Sequence, residues 1–208
     1  EAAISSIDAP GARPTVEHDA YPGVIVPFGH SWENHQDARE WAMQTISGIP
    51  TLAVDGSQIA SSKDISVPVG VVQVGWYENP HQPNGRYVKD IAVDVLGPDE
   101  LSGQNQDDSG FSDWQINWKR FEMEVDCLVQ YMQSRAGSDP KPLCFFDGSF
   151  VVSFVDKMFP ERQQRYTDAV IRLLETSEHT GIPVVGYIDT TYARDIASLV
   201  SAVTGFRP

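Results

Sequence analysis

The tripeptide Asp-Gly-Ser occurs twice, at Asp55-Gly56-Ser57 and at Asp147-Gly148-Ser149. Each copy follows a short apolar run, Thr51-Leu52-Ala53-Val54 in the first case and Pro142-Leu143-Cys144-Phe145-Phe146 in the second. An Asp at the last residue of a buried strand is held rigidly by the sheet while its carboxylate faces the rim. A Gly behind it lets the chain turn away and leaves room beside the carboxylate. Asp-Gly is also an ordinary turn pair, so either copy alone reads as a turn. Two copies at corresponding places are harder to read that way. If the first and fourth strands are central neighbours, the two carboxylates lie side by side. Like charges held close need a counter-charge, and a hard divalent cation with oxygen ligands supplies one.

A third carboxylate lies in Lys119-Arg120-Phe121-Glu122-Met123-Glu124-Val125. At helical spacing Glu124 falls on or beside the apolar face of Phe121, Val125 and Leu128, whereas Glu122 falls with Lys119 and Asp126 on the wetter side. A carboxylate on a core-facing stripe is costly without a partner, which favours Glu124 over Glu122 as a ligand. Such a set of three can hold two divalent ions roughly 4 Å apart, which activate a water and stabilise the leaving oxygen in phosphodiester hydrolysis.

The elements that must position these groups are legible as periodicity. Residues 1–47 read as an irregular arm rich in Pro, Gly and Asp, then a helix from Trp32 to Ile46 capped by Ser31. Residues 48–208 read as one α/β domain. Thr51–Val54, Val67–Tyr77 and Arg86–Leu96 are strands by their β-branched and alternating residues, with turn-rich loops between them. Gly97–Gly110 is a polar loop. The apolar positions of Asp113–Arg135 recur at steps of three and four and predict a long helix. The run at 142–146 is a strand buried on both faces, followed by a helix after Pro160, a strand over 182–188 and a closing helix over 191–203. The order β-β-β-α-β-α-β-α predicts a mixed five-stranded sheet, three strands antiparallel and then two parallel, flanked by helices.

Composition sets limits on this chemistry. The 208 residues hold 15 basic and 29 acidic side chains, for a net charge of −14. That excludes a protein that clings to nucleic acid by bulk electrostatics. It leaves room for a nuclease, whose own carboxylates add negative charge and need metal to approach phosphate. Cys127 and Cys144 stand far apart with no metal-ligand spacing, and read as free thiols of a reducing compartment. The first residues lack the pattern of a secretory signal, and no apolar run reaches the ~18 residues that cross a bilayer. A cytoplasmic protein is expected, with no membrane partner. The chain lacks an initiator Met and its last helical pattern stops at Pro208, so truncation is expected too.

The residues Ala53-Val54-Asp55-Gly56-Ser57, Arg120-Phe121-Glu122-Met123-Glu124 and Phe145-Phe146-Asp147-Gly148-Ser149-Phe150 resemble the NurA nucleases. So does Val184-Val185-Gly186-Tyr187-Ile188-Asp189, and the resemblance covers about residues 48 to 203. It implies an RNase H-like fold. It also implies a Mn²⁺-dependent DNA nuclease (Mg²⁺ being the alternative ion), with five-prime to three-prime exonuclease and single-strand endonuclease activity. Such an enzyme acts as a homodimer with a hexameric HerA-type translocase in DNA end resection and double-strand break repair. On that resemblance Asp55, Glu124 and Asp147 are the catalytic metal ligands. The family carries a further catalytic histidine beyond a strand that is missing from this pattern. His18, His30, His35, His81 and His179 fall on other elements.

Several residues have both a functional and an ordinary reading. Asp189 could approach the metal site or cap the last helix. Arg194 and Lys157 could touch phosphate or be surface charges. Trp76, Tyr77 and Tyr87 could stack bases or pack in a core or dimer. His30 and His35 lack a third ligand, and Ser57 and Ser149 lack a triad histidine. Two rival functions remain at this stage: a glycoside hydrolase using a carboxylate pair in an aromatic cleft, and a non-catalytic adaptor for dimerisation or docking.

Overall fold

The computed structural model describes residues 28–62, 66–101, 113–152, 155, 158–189 and 194–205. The chain divides into two compact units, residues 42–188 and residues 1–41 together with 189–208. Helix α1 is His35–Ile46, β1 Thr51–Ile59, β2 Gly70–Asn79 and β3 Val88–Leu96. A short helix α2 (Pro98–Leu101) and the long α3 (Asp113–Ser134) follow. Then come β4 (Leu143–Asp147), α4 (Pro160–Thr180), β5 (Val184–Tyr187) and α5 (Asp195–Thr204).

The strands form one five-stranded sheet in the order β3-β2-β1-β4-β5. β1 pairs antiparallel with β2 and β2 with β3, whereas β4 runs parallel to both β1 and β5. This is the mixed sheet that the sequence predicts, with β1 and β4 adjacent, and its order is that of the RNase H-like fold.

One face of the sheet is sealed by α3. Leu52, Val54, Val72, Val74, Cys144 and Phe146 pack from the strands against Phe121, Val125, Leu128, Val129 and Met132 of the helix. α4 adds Tyr166, Ala169, Val170 and Leu173 to the same core. Strand alternation sends Ile91, Val93 and Val95 the other way, where they are 58%, 55% and 56% exposed. An aromatic group fixes α3 to β4 and α4. Phe121 meets Phe146 edge-on at 5.7 Å and Tyr166 at 4.8 Å, and Trp118 meets Tyr166 at 5.0 Å.

Element boundaries differ from expectation where a local hydrogen bond decides them. α1 begins at His35 and not at Trp32, because Asn34 rather than Ser31 caps it. The Asn34 side-chain oxygen accepts from the Asp37 amide at 3.0 Å. α2 interrupts the expected polar loop, and its Leu101 is 1% exposed and joins the core.

Phe146 is 2% exposed and touches both Phe121 and Phe150. Phe146→Ala is expected to lower the unfolding free energy by about 3–5 kcal/mol, measured by urea titration.

Candidate metal and active site

The parallel register of β1 and β4 ends at Val54 opposite Phe146. Asp55 and Asp147 stand one residue further on, at neighbouring positions of adjacent strands. Alternation puts both on the face opposite buried Val54 and Phe146, and both are exposed. In one respect the expected geometry is corrected: Asp55 is not the last residue of its strand. β1 continues to Ile59 because β2 pairs with it all the way, from Thr51 opposite Asn79 to Ile59 opposite Val71. What stops at Val54 is only the pairing with β4.

Asp147 does end its strand. Gly148 follows with φ 147°, a conformation open to glycine, and its amide donates to Phe146 O at 3.0 Å and Tyr187 O at 2.9 Å. Those two bonds fix the turn against β5. The Ser149 hydroxyl accepts from the Val151 amide at 3.0 Å, so it serves the turn.

Glu124 is 4% exposed, held between α3 and the sheet. The space it occupies exists because position 56 is glycine. A Cβ there would collide with Glu124 Oε1 and would lie 2.7 Å from Arg120 Cγ. Arg120, one turn earlier on α3, donates to Glu124 Oε1 at 2.6 Å. Its Nε donates to Gln58 Oε1 at 3.1 Å, and Gln58 Nε2 donates to Asn117 Oδ1 at 2.6 Å. A polar chain therefore runs from Asn117 through Gln58 and Arg120 to the buried carboxylate.

The Glu124 carboxyl is pushed above its ordinary value near 4.5, chiefly by burial, with Arg120 opposing and the charges of Asp55 and Asp147 adding to the rise. The charges of Asp55 and Asp147 thus reach Glu124. Among the described residues, however, no three Asp, Glu, His or Cys side chains converge tightly enough to hold a metal ion. The partner that burial demanded for Glu124 is Arg120. The donor set still suits a hard cation, being carboxylate oxygens only, with open rim positions for Asp55 and Asp147 and a glycine cradle for Glu124.

Other expected residues separate from this group. Glu122 lies on the wetter side of α3, 3.5 Å from Lys119 Nζ, which also reaches Asp94 at 3.2 Å. Asp189 is exposed and belongs to the other unit, and it does not cap the last helix, where Arg194 is the capping residue. Lys157 and His18 lie outside the described residues. The His30 ring packs 4.9 Å from Trp41, and His81 Nδ1 lies 2.8 Å from Ile49 O. Trp76 packs on the core, whereas Tyr77 and Tyr87 stack at 5.2 Å on the surface, 42% and 60% exposed.

Sequence reasoning passed over Arg120, Gln58 and Asn117. The spacing of Arg120 and Glu124 by four was a readable sign of the ion pair. Gln58, far away in sequence, gave none. It also passed over Glu78, 8% exposed, which accepts two bonds from Arg135 and one from Tyr131. That group stabilises the far end of β2 against α3.

Because the folded-state value of Glu124 is raised, its contribution to stability is fully present below the ordinary carboxylate range and is lost as pH rises through the raised value. The melting temperature of the wild type relative to Glu124→Gln is therefore expected to fall as pH rises above the ordinary carboxylate range, read by thermal scans without metal. Gly56→Ala should destabilise by about 1–3 kcal/mol in urea unfolding, since a methyl group must displace Glu124 or Arg120.

The NurA domain family model matches residues 50–205. A search of the curated proteins finds no match. Among solved structures, RNase H1 from the halophilic archaeon Halobacterium salinarum NRC-1 is similar at a TM-score of 0.32 and 16% identity, covering 76% of this chain and 100% of that one. A NurA crystal structure is similar at a TM-score of 0.30 and 14% identity, covering 76% of this chain and 38% of that one. The chain thus spans well under half the length of that NurA. The fold follows from the strand order and not from these superpositions. With the family model extending from β1 to the end of α5, the chain belongs to the NurA family.

Proposed function

We propose that this chain is the core of a metal-dependent DNA nuclease, hydrolysing phosphodiester bonds at the rim formed by β1 and β4. The observation that supports this most is the placement of Asp55 and Asp147 one step beyond the last parallel pair, with Glu124 buried close enough that both charges act on it. Asp55 and Asp147 would hold a hard divalent cation, Mn²⁺ or Mg²⁺, with Glu124 as the third ligand. Bound there, divalent ions supply an activated water and stabilisation of the leaving oxygen.

The chain's own groups prepare that chemistry. Arg120 holds the Glu124 carboxylate in place and offsets part of its burial cost, and Gln58 holds Arg120. Gly56 admits Glu124 to the sheet surface. The rigid turn at Gly148 fixes the direction of Asp147. Because Glu124 must ionise to bind a cation, metal binding and activity should weaken on acidification sooner than for an ordinary carboxylate site.

A glycoside hydrolase would need its carboxylates in an aromatic cleft. Here Asp55 shares an open groove with Trp76 and Tyr77, but Asp147 does not line it, so this carboxylate pair shares no aromatic cleft. The family membership supports further expectations: exonuclease and single-strand endonuclease activity, a homodimer, and work with a HerA-type translocase in end resection and double-strand break repair. A cytoplasmic location fits that work. No helix among the described residues is long and apolar enough to cross a membrane.

The test is cleavage of single-stranded and duplex DNA with Mn²⁺, comparing wild type with Asp55→Ala and Asp147→Ala. Each substitution is expected to lower the rate by at least about 10²-fold, the scale of losing a group that stabilises the transition state. Cleavage that survives both would overturn the mechanism. Absence of cleavage by the wild type, with self-association retained, would favour the adaptor.

A further inference from the structure

We propose that Arg162 and Arg165, held on Trp114 where α3 and α4 begin, form an anchor for the phosphate backbone of a nucleic-acid strand. The anchor would grip that strand a few nucleotides from the bond to be cleaved, and in that sense it rests on the nuclease reading above.

The starting observation is where the positive charges go. In a chain with 29 acidic and 15 basic residues, cations are expected to be taken up by carboxylates. Lys119, Arg120, Arg135 and Arg172 follow that expectation, pairing with Asp94 and Glu122, Glu124, Glu78 and Asp126 respectively. Arg39, Arg86, Lys89, Lys141 and Arg194 make no ion pair among the described residues, and neither do Arg162 and Arg165. Instead the Arg162 guanidinium lies 4.4 Å from the Trp114 ring centre and 5.3 Å from that of Phe159, and Arg165 lies 5.6 Å from Trp114.

A cation–π contact holds a guanidinium near an aromatic ring without consuming its N–H groups. Two guanidiniums beside one indole offer paired N–H donors of the kind a phosphodiester accepts. Phe159 is 63% exposed beside them, and Arg165 is exposed, so the cluster is open to solvent.

The cluster is also linked to the carboxylates. Trp118, one turn after Trp114, packs on Tyr166, which is one turn after Arg162. Along α3, the stretch from Trp114 to Glu124 rises about 15 Å at ~1.5 Å per residue. That is roughly four phosphates of one strand at ~3.4 Å each along a duplex. A strand whose scissile phosphate lay near Glu124 would then have a phosphate within reach of the arginines. This supplies the local cationic lining that the overall charge withholds.

The ordinary alternative is that these side chains only fasten α3 to α4, and a salt titration separates the two. The full chain is titrated with a fluorescein-labelled oligothymidylate in EDTA, by fluorescence anisotropy over a range of salt concentrations. Arg162→Gln/Arg165→Gln is expected to weaken binding at low salt by about tenfold or more and to flatten the log–log salt slope by about 1.4, the sum for two lost single-strand phosphate contacts. Arg165→Gln alone, at an exposed position, should remove about half of that change. It is the variant to read if thermal scans show that the double variant does not fold. An unchanged slope, a melting temperature that falls without loss of binding, or a wild type that binds no oligonucleotide would each overturn the anchor. Arginine-dependent binding by a wild type that fails to cleave with Mn²⁺ would instead remove the nuclease reading and leave the anchor standing.

Discussion

The burial of Glu124 against β1 is the constraint on which the rest of this structure depends. A carboxylate at 4% exposure needs a hydrogen-bonded counter-charge, space beside the strand, and a helix that cannot shift. Arg120 is the counter-charge, Gly56 leaves the space, and the rings of Phe121, Phe146, Trp118 and Tyr166 fix the helix. Burial still outweighs the arginine, since the carboxyl remains harder to ionise than usual. The charges of Asp55 and Asp147 add to that difficulty, and the Arg120 guanidinium opposes it.

Electrostatics here is local, and the sum over the chain says little about it. The charge of −14 describes an acidic molecule, yet individual cations have distinct placements. Arg135 closes a buried group with Glu78 and Tyr131, and Arg172 pairs with Asp126 across α3 and α4. Arg162 and Arg165 sit on an indole instead. A stacked guanidinium keeps its donors, and a paired one has committed them. Position in the fold, more than the number of arginines, determines what remains for an anion.

Much of the fold was legible because it rests on short-range patterns. Alternation identified the three antiparallel strands, steps of three and four identified α3 and α4, and unbroken apolar runs identified β4 and β5. Boundaries were less legible wherever a partner outside the window decided them. β1 overruns its apolar run by five residues because β2 hydrogen-bonds to it as far as Ile59. α1 starts late because Asn34 supplies the cap. Of the candidate site, the three carboxylates could be picked out by residue type and by their place on elements, as could the assignment of Glu122 to the solvent side. The polar chain behind Glu124 could not, because Gln58 and Arg120 are separated by sixty-two positions and meet only in the folded chain.

The sequence alone singled out the candidate carboxylates and the elements that hold them: two Asp-Gly-Ser copies after apolar runs, a glutamate on a core-facing helical stripe, and the order of strands and helices. These follow from periodicities of two and of about three and a half residues, which the backbone imposes on any sequence. Tertiary structure decided the rest. It placed β4 beside β1 in a register that brings Asp55 and Asp147 to neighbouring positions. It gave the buried glutamate an arginine instead of leaving it unpartnered. It set two arginines beside Trp114 that make no ion pair among the described residues. Register, burial and counter-charge arise from contacts between segments far apart in the chain, and no local pattern encodes the distance at which such segments come to rest.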